Sequence, residues 1–202
     1  GRYEVSQVQG RTERDAADAV SDIRSGLNRN AQTLQTLQFV DHAQRPWPRE
    51  AASLLREHRE WLRLEWRDVD LRVLSAVDTP FRAPVFSKQG RSAQQPEVVQ
   101  ACAVARRQSG PGYGVSTYVP QSDGLGLEIM DMCLPVLVEG QITGFTVASY
   151  ALSEILASMV GPQLTRSQEV SFTESDGTRL AKFGMPRRGS RVFTAQQLLD
   201  LP

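Results

Sequence analysis

The side chains best suited to binding chemistry lie on a predicted helix and on the strands expected beneath it. Cys102 and Arg106 are four residues apart in the helix, so both point to its inner side, whereas Arg107 is rotated by about 100° towards solvent. A guanidinium group in a concave site can hold a carboxylate through two parallel hydrogen bonds. The partners expected to complete the site are Tyr118, Asp131, Cys133, Thr146 and Tyr150. They predict a binding site for a small organic acid, and an Arg106–Asp131 salt bridge that closes the core without a ligand is the alternative.

These positions depend on a β-hairpin predicted for residues 131–150, DMCLPVLVEGQITGFTVASY. Two apolar runs flank Glu139-Gly140, and a Gly at the second position of a two-residue turn is typical of a type I′ hairpin. Pairing of Val138 with Gln141 puts a bulky apolar set on one face: Met132, Leu134, Val136, Phe145 and Val147. The other face carries a smaller and partly polar set: Asp131, Cys133, Leu137, Ile142, Gly144, Thr146, Ala148 and Tyr150. The small residues of this second face leave room either for a packed helix or for a ligand pocket.

The sequence shows no catalytic centre. Its two histidines, His42 and His58, are expected at a helix end and on a polar helix, which excludes a multi-histidine metal site. It contains no nucleophile elbow, Walker loop or dinucleotide fingerprint. The carboxylates of Glu65 and Asp68 are expected to be solvated. We therefore predict no catalytic residue, no metal ion and no cofactor.

The two cysteines leave three outcomes open. Cys102 is expected on the apolar face of the helix and Cys133 on the sheet face that this helix covers, so the two approach each other. They form a disulfide if their Cα atoms lie within about 7 Å, and otherwise remain two buried thiols. Thiol catalysis at Cys133 is the third outcome, and neither histidine lies in the sheet region to act as its base.

The composition excludes several classes of partner. The 202 residues include 23 basic and 23 acidic ones, so bulk electrostatics attract the chain neither to nucleic acid nor to anionic lipid. No run approaches the roughly 20 apolar residues that a membrane helix needs. The chain begins at Gly1, which we expect to be a cloning remnant on an excised or processed chain.

A long helix is predicted from about Arg11 to Val40. Its apolar residues recur at steps of three and four: Ala16, Val20, Ile23, Leu27, Ala31, Leu34 and Leu37. About thirty residues give a rod of roughly 45 Å, which overhangs a domain of this size. We predict that the stripe from Ala16 to Leu27 faces a second protomer or nothing, giving a homodimer through this helix. For the second half, packing on its own domain is equally expected.

The rest of the chain is predicted to alternate short helices, strands and turns. Apolar and polar side chains alternate with a period of two over residues 62–67, which predicts a strand. Its Trp61, Arg63, Glu65 and Arg67 are expected to share one side. The predicted elements are a helix at 50–60, strands at 61–67 and 71–77, a loop at 79–95, a helix at 96–108, a strand at 113–120, the 131–150 hairpin with its first strand beginning at 127, a helix at 154–160, a hairpin pairing 170–173 with 179–183 around Ser175-Asp176-Gly177, and a helix at 195–199.

Three stretches resemble the extracytoplasmic PAS-like sensor domains of bacteria, the PDC or Cache group. They are LEWRDVDLRVLSAV, similar to the opening hairpin, VVQACAVARRQSGPGYGVSTYVP, similar to the crossing helix and third strand, and CLPVLVEGQITGFTVASYALSEIL, similar to the closing hairpin. The resemblance covers about residues 47–160, and FTESDGTRL resembles the start of a second module. It implies an α+β fold, in which a long N-terminal helix packs on a PAS-like antiparallel five-stranded sheet with a crossing helix. A small incomplete second β unit follows.

The resemblance also implies an organisation and a function. Residues 1–45 form the signalling and dimerisation helix, 46–162 the sensor domain, and 163–202 the start of a membrane-proximal second unit or a C-terminal extension. Such a module is the periplasmic, membrane-tethered sensor of a receptor, most often a histidine kinase, and binds a small molecule between sheet and crossing helix. A diguanylate cyclase or chemoreceptor sensor, and a PAS-like dimerisation module without a ligand, are the alternatives. The family's amino-acid-binding pattern cannot be placed on this sequence.

Overall fold

The computed structural model describes residues 2–6, 8–9, 13–39, 44, 46–87, 90–122, 124–162, 165, 169–173, 179–184, 192–193 and 198–200. The predictions that concern Gly1, His42 and the turn at 175–177 lie outside these residues. The helices are α1 (Glu13–Gln35), α2 (Trp47–Glu57), α3 (Pro96–Gln108) and α4 (Leu152–Met159), and a 3-10 helix at Thr36–Phe39 follows α1. The strands are β1 (Arg2–Ser6), β2 (Val8–Gln9), β3 (Trp61–Arg67), β4 (Val73–Asp78), β5 (Gly112–Tyr113), β6 (Thr117–Val119), β7 (Leu127–Val138), β8 (Gln141–Ala151), β9 (Glu169–Thr173), β10 (Arg179–Gly184), β11 (Val192–Phe193) and β12 (Leu198–Asp200).

The chain divides into two compact units, one built from residues 30–151 and the other from residues 1–29 with 152–201. The first unit contains an antiparallel sheet in the order β4-β3-β8-β7-β5, and β6 also pairs with β7. The α+β class with its PAS-like sheet is confirmed. The sheet has six strands instead of five because the predicted third strand is interrupted and pairs with β7 as two short pieces.

The β7–β8 hairpin has the predicted turn but a different register beyond it. Glu139 and Gly140 both have positive φ, 51° and 78°, which is the signature of a type I′ turn. Val138 pairs with Gln141 as predicted, but Val136 pairs with Gly144, so Thr143 is an extra residue in β8. Because side chains alternate with a period of two, one extra residue moves every later side chain of β8 to the opposite face of the sheet from the one predicted.

The predicted division of the hairpin into two faces is therefore wrong. Asp131 pairs with Ser149 and Cys133 with Val147, so these four side chains share a face. Thr146 and Tyr150 lie on the opposite face. β3 also contains a register shift, because Trp61 pairs with Tyr150 and Arg63 with Ser149. Trp61 therefore lies on the side opposite to Arg63, Glu65 and Arg67, which do share a face.

Helix α3 covers part of the Cys133 face, and a disulfide joins the two. Cys102 of α3 is bonded to Cys133 of β7, with their Cα atoms 5.1 Å apart. Around this bond a buried apolar cluster forms from Val98, Ala101, Cys102, Ala105, Cys133, Phe145 and Val147. Gly112 of β5 lies so close to α3 that an added Cβ would clash with the carbonyl oxygen of Ala101. The helix is thus held against the sheet by both a covalent bond and close packing.

The apolar stripe of α1 is buried within a single chain. Val20, Ile23 and Leu27 are at most 2% exposed. In the second unit the carboxylate of Asp22 accepts a hydrogen bond from the backbone N–H of Gly161, so α1 contacts the segment after α4. The prediction that these three residues face a second protomer or nothing is wrong, because their own chain covers them. The side chain of Ala16 lies outside the described residues.

The second unit contains a four-stranded sheet in the order β10-β9-β1-β12, and β2 pairs with β11. The pairing of β9 with β10 confirms the hairpin that was predicted for 170–173 and 179–183. The N-terminal strand β1 was not predicted, and it inserts between β9 and β12. The helix predicted at 195–199 is wrong at its end, since residues 198–200 form β12.

Replacing Ile23 with Asp should destabilise the chain strongly, because the substitution places an unpaired charge at a position that is 0% exposed. We expect a fall of several kcal/mol in the free energy of unfolding, measured by urea titration of the monomer. The matched control is Ser25→Asp on an exposed position of the same helix, which should change stability by less than about 1 kcal/mol. Equal, small effects of both substitutions would show that the stripe is not intramolecular core.

The disulfide predicts a simple labelling result. Alkylation of the unfolded chain without reductant should modify neither cysteine, and prior reduction should expose two thiols per chain. The double substitution Cys102→Ser/Cys133→Ser should lower the free energy of unfolding by about 2–5 kcal/mol, since the bond closes a loop in the unfolded chain. Detection of two free thiols by mass spectrometry before reduction would contradict the bond.

Candidate functional site

The centre of the sheet carries a row of polar side chains on the face that bears Cys133. β8 lies between β3 and β7, and Ser149 pairs with Arg63 on one side and with Asp131 on the other. Glu65 and Arg67 follow Arg63 at alternate positions of β3, so they point to the same side. Three adjacent strands therefore bring basic, acidic and hydroxyl groups together above the middle of the sheet.

Asp131 is buried and strongly bonded. Its side chain is 3% exposed, and Ser149 donates its hydroxyl to Oδ1 at 2.6 Å. The guanidinium of Arg91 reaches both carboxylate oxygens, with Nη2 at 2.7 Å from Oδ1 and Nη1 at 3.1 Å from Oδ2. Arg91 belongs to the segment between β4 and α3, so the fork-shaped contact joins that segment to the sheet.

Glu65 is a second buried carboxylate, with a side chain that is 0% exposed. It accepts hydrogen bonds from Nε of Arg63 and from Nε of Arg67, both at 2.8 Å. Burial alone would raise the pKa of Glu65, but the positive charges of Arg91, Arg67 and Arg63 together lower that pKa below its usual value. Glu65 is therefore ionised in the folded protein, and the expectation that it is solvated is wrong.

Arg67 is fully buried and anchors the chain that leads into α3. Its Nη1 donates to the carbonyl oxygens of Leu71 at 2.9 Å and of Ser92 at 3.0 Å. Its Nη2 lies 2.8 Å from Oε1 of Glu65 in an ion pair. Arg67 and Glu65 thus compensate each other's charge on one strand while fixing the residue next to Arg91.

Four groups surround the guanidinium of Arg91, and we call them the Arg91 cage: Glu65, Phe86, Asp131 and Ser149. The Phe86 ring lies 4.3 Å from the guanidinium carbon, a distance suited to a cation–π contact. The side chain of Arg91 is only 5% exposed. Burial alone would lower the pKa of Arg91, but the carboxylates of Asp131 and Glu65 raise it, so the guanidinium stays charged.

The cage lies between two apolar clusters on the same face of the sheet. One is the cluster around the disulfide, which contains Val147 and Phe145. The other is formed by Leu62, Val85, Val119, Ile129 and Ala151. Because Ile129 and Ala151 form the pair next to Asp131 and Ser149 along the strands, the charged groups have apolar walls on both sides. Low polarity around them strengthens every charge interaction in the cage.

The structure brings only one of the six predicted binding residues into the cage, namely Asp131. Cys133 lies on the same face but is consumed by the disulfide. Arg106 is exposed, donates to the carbonyl oxygen of Val69 at 3.1 Å and lies 5.4 Å from the Phe145 ring. The arginine that bonds Asp131 is Arg91, so an Arg106–Asp131 salt bridge is absent. The other three residues lie elsewhere: Tyr118 is 57% exposed on β6, and Thr146 and Tyr150 are on the opposite face.

Tyr150 belongs to a separate polar network on the opposite face. Nδ2 of Asn30, in α1, donates to the hydroxyl of Tyr150 and to Oε1 of Glu60, each at 3.2 Å. His58 Nδ1 lies 2.7 Å from the same Glu60 oxygen. Burial alone would raise the pKa of Glu60, but the bonds from His58 and Asn30 lower it. β8 therefore contacts a polar group on each of its two sides.

Sequence reasoning missed Arg91, Phe86 and Ser149, and it misjudged Glu65. One signal was present: Arg63, Glu65 and Arg67 are charged residues at alternate positions of a strand whose other face is apolar. If that strand is central, its charged face is covered and the charges must pair. Arg91 lies in a loop without periodicity, so no local pattern identifies it.

The described part of the chain contains neither a metal-binding cluster nor a helix able to span a membrane. There, His, Cys, Asp and Glu side chains form no group of three or more that is suitably placed for a metal ion. Among the helices described, none combines the length and apolarity required to span a bilayer.

Comparison with solved structures identifies the fold. The chain is similar to a domain of a sensory box/GGDEF family protein from Vibrio parahaemolyticus, with a TM-score of 0.54 and 12% identity over 75% of this chain and 63% of that one. It is also similar to the extracellular domain of the histidine kinase vpHK1S-Z8, with a TM-score of 0.51 and 14% identity over 76% and 59%. The ligand-binding domain of the Pseudomonas aeruginosa amino acid chemoreceptor PctC, in complex with GABA, is more distant, with a TM-score of 0.45 and 17% identity over 69% and 58%.

These likenesses define the class of fold. The chain has the fold of the PDC/Cache-like extracellular sensor domains, as the resemblance in sequence predicted. It spans 63% and 59% of the length of the first two solved chains. No protein-family model and no curated protein matches the sequence.

Replacing Glu65 with Gln should destabilise the fold and change its pH dependence. At pH 7 the substitution leaves the buried Arg67 without its counter-charge, which costs about 3–5 kcal/mol. Because the folded pKa of Glu65 is lowered, its contribution is full above the unfolded pKa of about 4.3 and is lost as pH falls through the folded pKa. The stability difference between wild type and variant should therefore shrink below about pH 4, as measured by urea unfolding across pH.

Glu57→Gln is the control, since Glu57 is exposed on α2. It should unfold like the wild type at every pH tested. A Glu65→Gln variant that matches this control at pH 7 would show that the buried carboxylate does not hold the cluster together.

Proposed function

We propose that the chain is the extracytoplasmic ligand-sensing domain of a bacterial membrane receptor. The observation that carries this proposal is a buried, charged cage on the central strands of a fold shared with the extracellular domain of a histidine kinase. The disulfide between Cys102 and Cys133 supports it, because disulfides persist in oxidising spaces such as the periplasm.

We further propose that the full-length protein is a membrane-tethered sensor histidine kinase. In that arrangement the domain has no catalytic role of its own, and ligand binding biases the output domain. A diguanylate cyclase is the second candidate, because the other similar structure belongs to a sensory box/GGDEF family protein. A chemoreceptor is the third. Both carry the same kind of domain, so the choice concerns the output and not the sensor.

The ligand of this proposal is a small molecule that binds beside Asp131. The disulfide and the apolar cluster around it close the space between α3 and the sheet near Cys133. The polar side chains next to Asp131 lie instead beneath the segment that carries Arg91. Arg106 gives no support for an organic acid at this place, since its guanidinium is exposed and bonded to Val69. An organic acid therefore stays a prediction to be tested against other ligand classes.

A PAS-like module without a ligand is the alternative. One observation favours it: the charges of Asp131 and Glu65 are already compensated by arginines of the same chain. A module of this kind would keep the cage as part of its core and would respond to no small molecule.

A thermal-shift screen followed by calorimetry distinguishes these possibilities. A panel of amino acids, amines, organic acids and nucleosides would be tested with the 202-residue chain. A ligand at one hundred times its Kd adds about 2.7 kcal/mol of stability, which raises Tm by roughly 5–10 °C for a chain of this size. The absence of any shift across the panel would favour the module without a ligand.

Asp131→Asn should abolish the response to any compound that the screen finds. The substitution keeps the size of the side chain but removes the buried negative charge that the ligand site is built around. The matched control is Asp70→Asn, an exposed position in the β3–β4 turn that should bind like the wild type. Calorimetry on the three proteins measures the effect, and a loss of at least tenfold in affinity is expected. Unchanged affinity in Asp131→Asn would place the binding site elsewhere.

A further inference from the structure

We propose that the Arg91 cage is a recognition site for a cationic group, and that Arg91 is its resident occupant. The ligand class is a small molecule that carries a guanidinium or a primary ammonium group. This inference rests on the proposed function, since it names the kind of ligand that the sensor takes. It differs from the organic acid that Arg106 predicted.

The chemistry of the cage is suited to a cation. Two carboxylates, a hydroxyl oxygen and the face of an aromatic ring all present negative charge or electron density towards one point. Carboxylates bind guanidinium and ammonium groups through short charge-assisted hydrogen bonds. The Phe86 ring, whose centroid lies 4.3 Å from the guanidinium carbon, adds a cation–π attraction.

Arg91 fills this cage incompletely. Its Nε is buried and has no hydrogen-bond acceptor among the described residues. Oε2 of Glu65 lies 3.6 Å from this Nε, beyond hydrogen-bonding distance. An unsatisfied buried N–H is unfavourable because the group has lost its bond to water without gaining another acceptor. A free cation is not tied to the backbone and can adjust its position, so it can satisfy the cage better than the tethered side chain does.

The two carboxylates depend on Arg91 to different degrees. Glu65 is also bonded by Arg63 and Arg67, which share its face of β3. Asp131 has Arg91 as its sole ion-pair partner within the described part of the chain. Removal of Arg91 therefore leaves Glu65 compensated, whereas Asp131 then needs another cation. Asp131 is the group that recognises the ligand.

The positions of the partners in the fold decide between a cationic and an anionic ligand. Asp131 and Ser149 are fixed on central strands, whereas Arg91 comes from the connection between β4 and α3. A cation that replaces Arg91 lets the arginine move to water, where its charge is solvated. An anion that bonds Arg91 would instead leave Asp131 buried and uncompensated, which is strongly unfavourable. A cation is therefore the class that exchanges with Arg91.

The experiment uses Arg91→Ala and a small cation that matches the lost group. The variant should have a lower Tm than the wild type, and methylguanidinium at millimolar concentration should restore it. N-methylurea has the same shape without the charge and should not restore Tm. The control variant is Arg82→Ala, an exposed arginine of the same connection, which should neither lose stability nor respond to methylguanidinium. The double variant Arg91→Ala/Asp131→Asn should not be rescued.

The wild type provides the second measurement. Calorimetry should detect methylguanidinium binding to the wild type with an affinity at least about tenfold weaker than to Arg91→Ala, because Arg91 competes for the cage. Rescue by N-methylurea as well as methylguanidinium, or no rescue of a folded variant, would overturn the cation site. Absence of wild-type binding at concentrations that saturate the variant would show that Arg91 is a permanent structural residue, and would also overturn the proposal.

A variant that fails to fold still leaves a decisive measurement. Hydrogen exchange of the wild type with and without methylguanidinium should show faster exchange at the amide of Gln95, which donates to the carbonyl oxygen of Ser92 beside Arg91, and no change would count against the proposal. The proposed sensor function fails separately. A neutral or anionic ligand whose binding requires Asp131 would support the sensor function and refute the proposed cation site. Rescue of Arg91→Ala by methylguanidinium, with no ligand found for the wild type in the screen, would support the cation site and count against the sensor function.

Discussion

The arrangement of the central sheet depends on pairing its buried carboxylates with arginines. Asp131 and Glu65 lie on strands whose neighbours exclude water, and a bare carboxylate in such a place would be very unfavourable. Each is compensated because guanidinium groups approach it within hydrogen-bonding distance. These arginines in turn fix what surrounds them, since Arg67 also bonds the carbonyl of Ser92 just before α3. The connection between β4 and α3 is thus held to the sheet by charge at Arg91 and by apolar packing at Val85, while α3 itself is held by the disulfide and by apolar packing.

Much of the fold could be predicted from local patterns. The helix at 96–108 begins at a Pro and ends at a left-handed Ser109, and its bounds are as the sequence indicates. The Glu139-Gly140 turn follows from the need for positive φ at both positions. The hairpin faces did not follow, because the extra residue at Thr143 leaves no clear mark in an apolar run. Because of this one unrecognised bulge, the predictions placed Thr146 and Tyr150, a third of the predicted site, on the wrong side of the sheet.

Contacts between distant segments explain the remaining differences. β1 pairs with β9 and β12, which are more than 160 residues away, so no local pattern could identify its partners. The stripe on α1 was recognised correctly as apolar, but its period does not tell whether another chain or the same chain covers it. The cage depends on Arg91, and an arginine in an irregular loop is usually solvated. Only its meeting with Asp131, 40 residues later, makes it part of a site.

The neighbours Ser149 and Tyr150 on β8 connect polar groups on the two faces of the sheet. Ser149 donates to Asp131 on one side, and one peptide bond later Tyr150 accepts from Asn30 on the other. Adjacent residues of one strand thus belong to both polar networks. A displacement of β8 at this point would change hydrogen bonds in both networks at once.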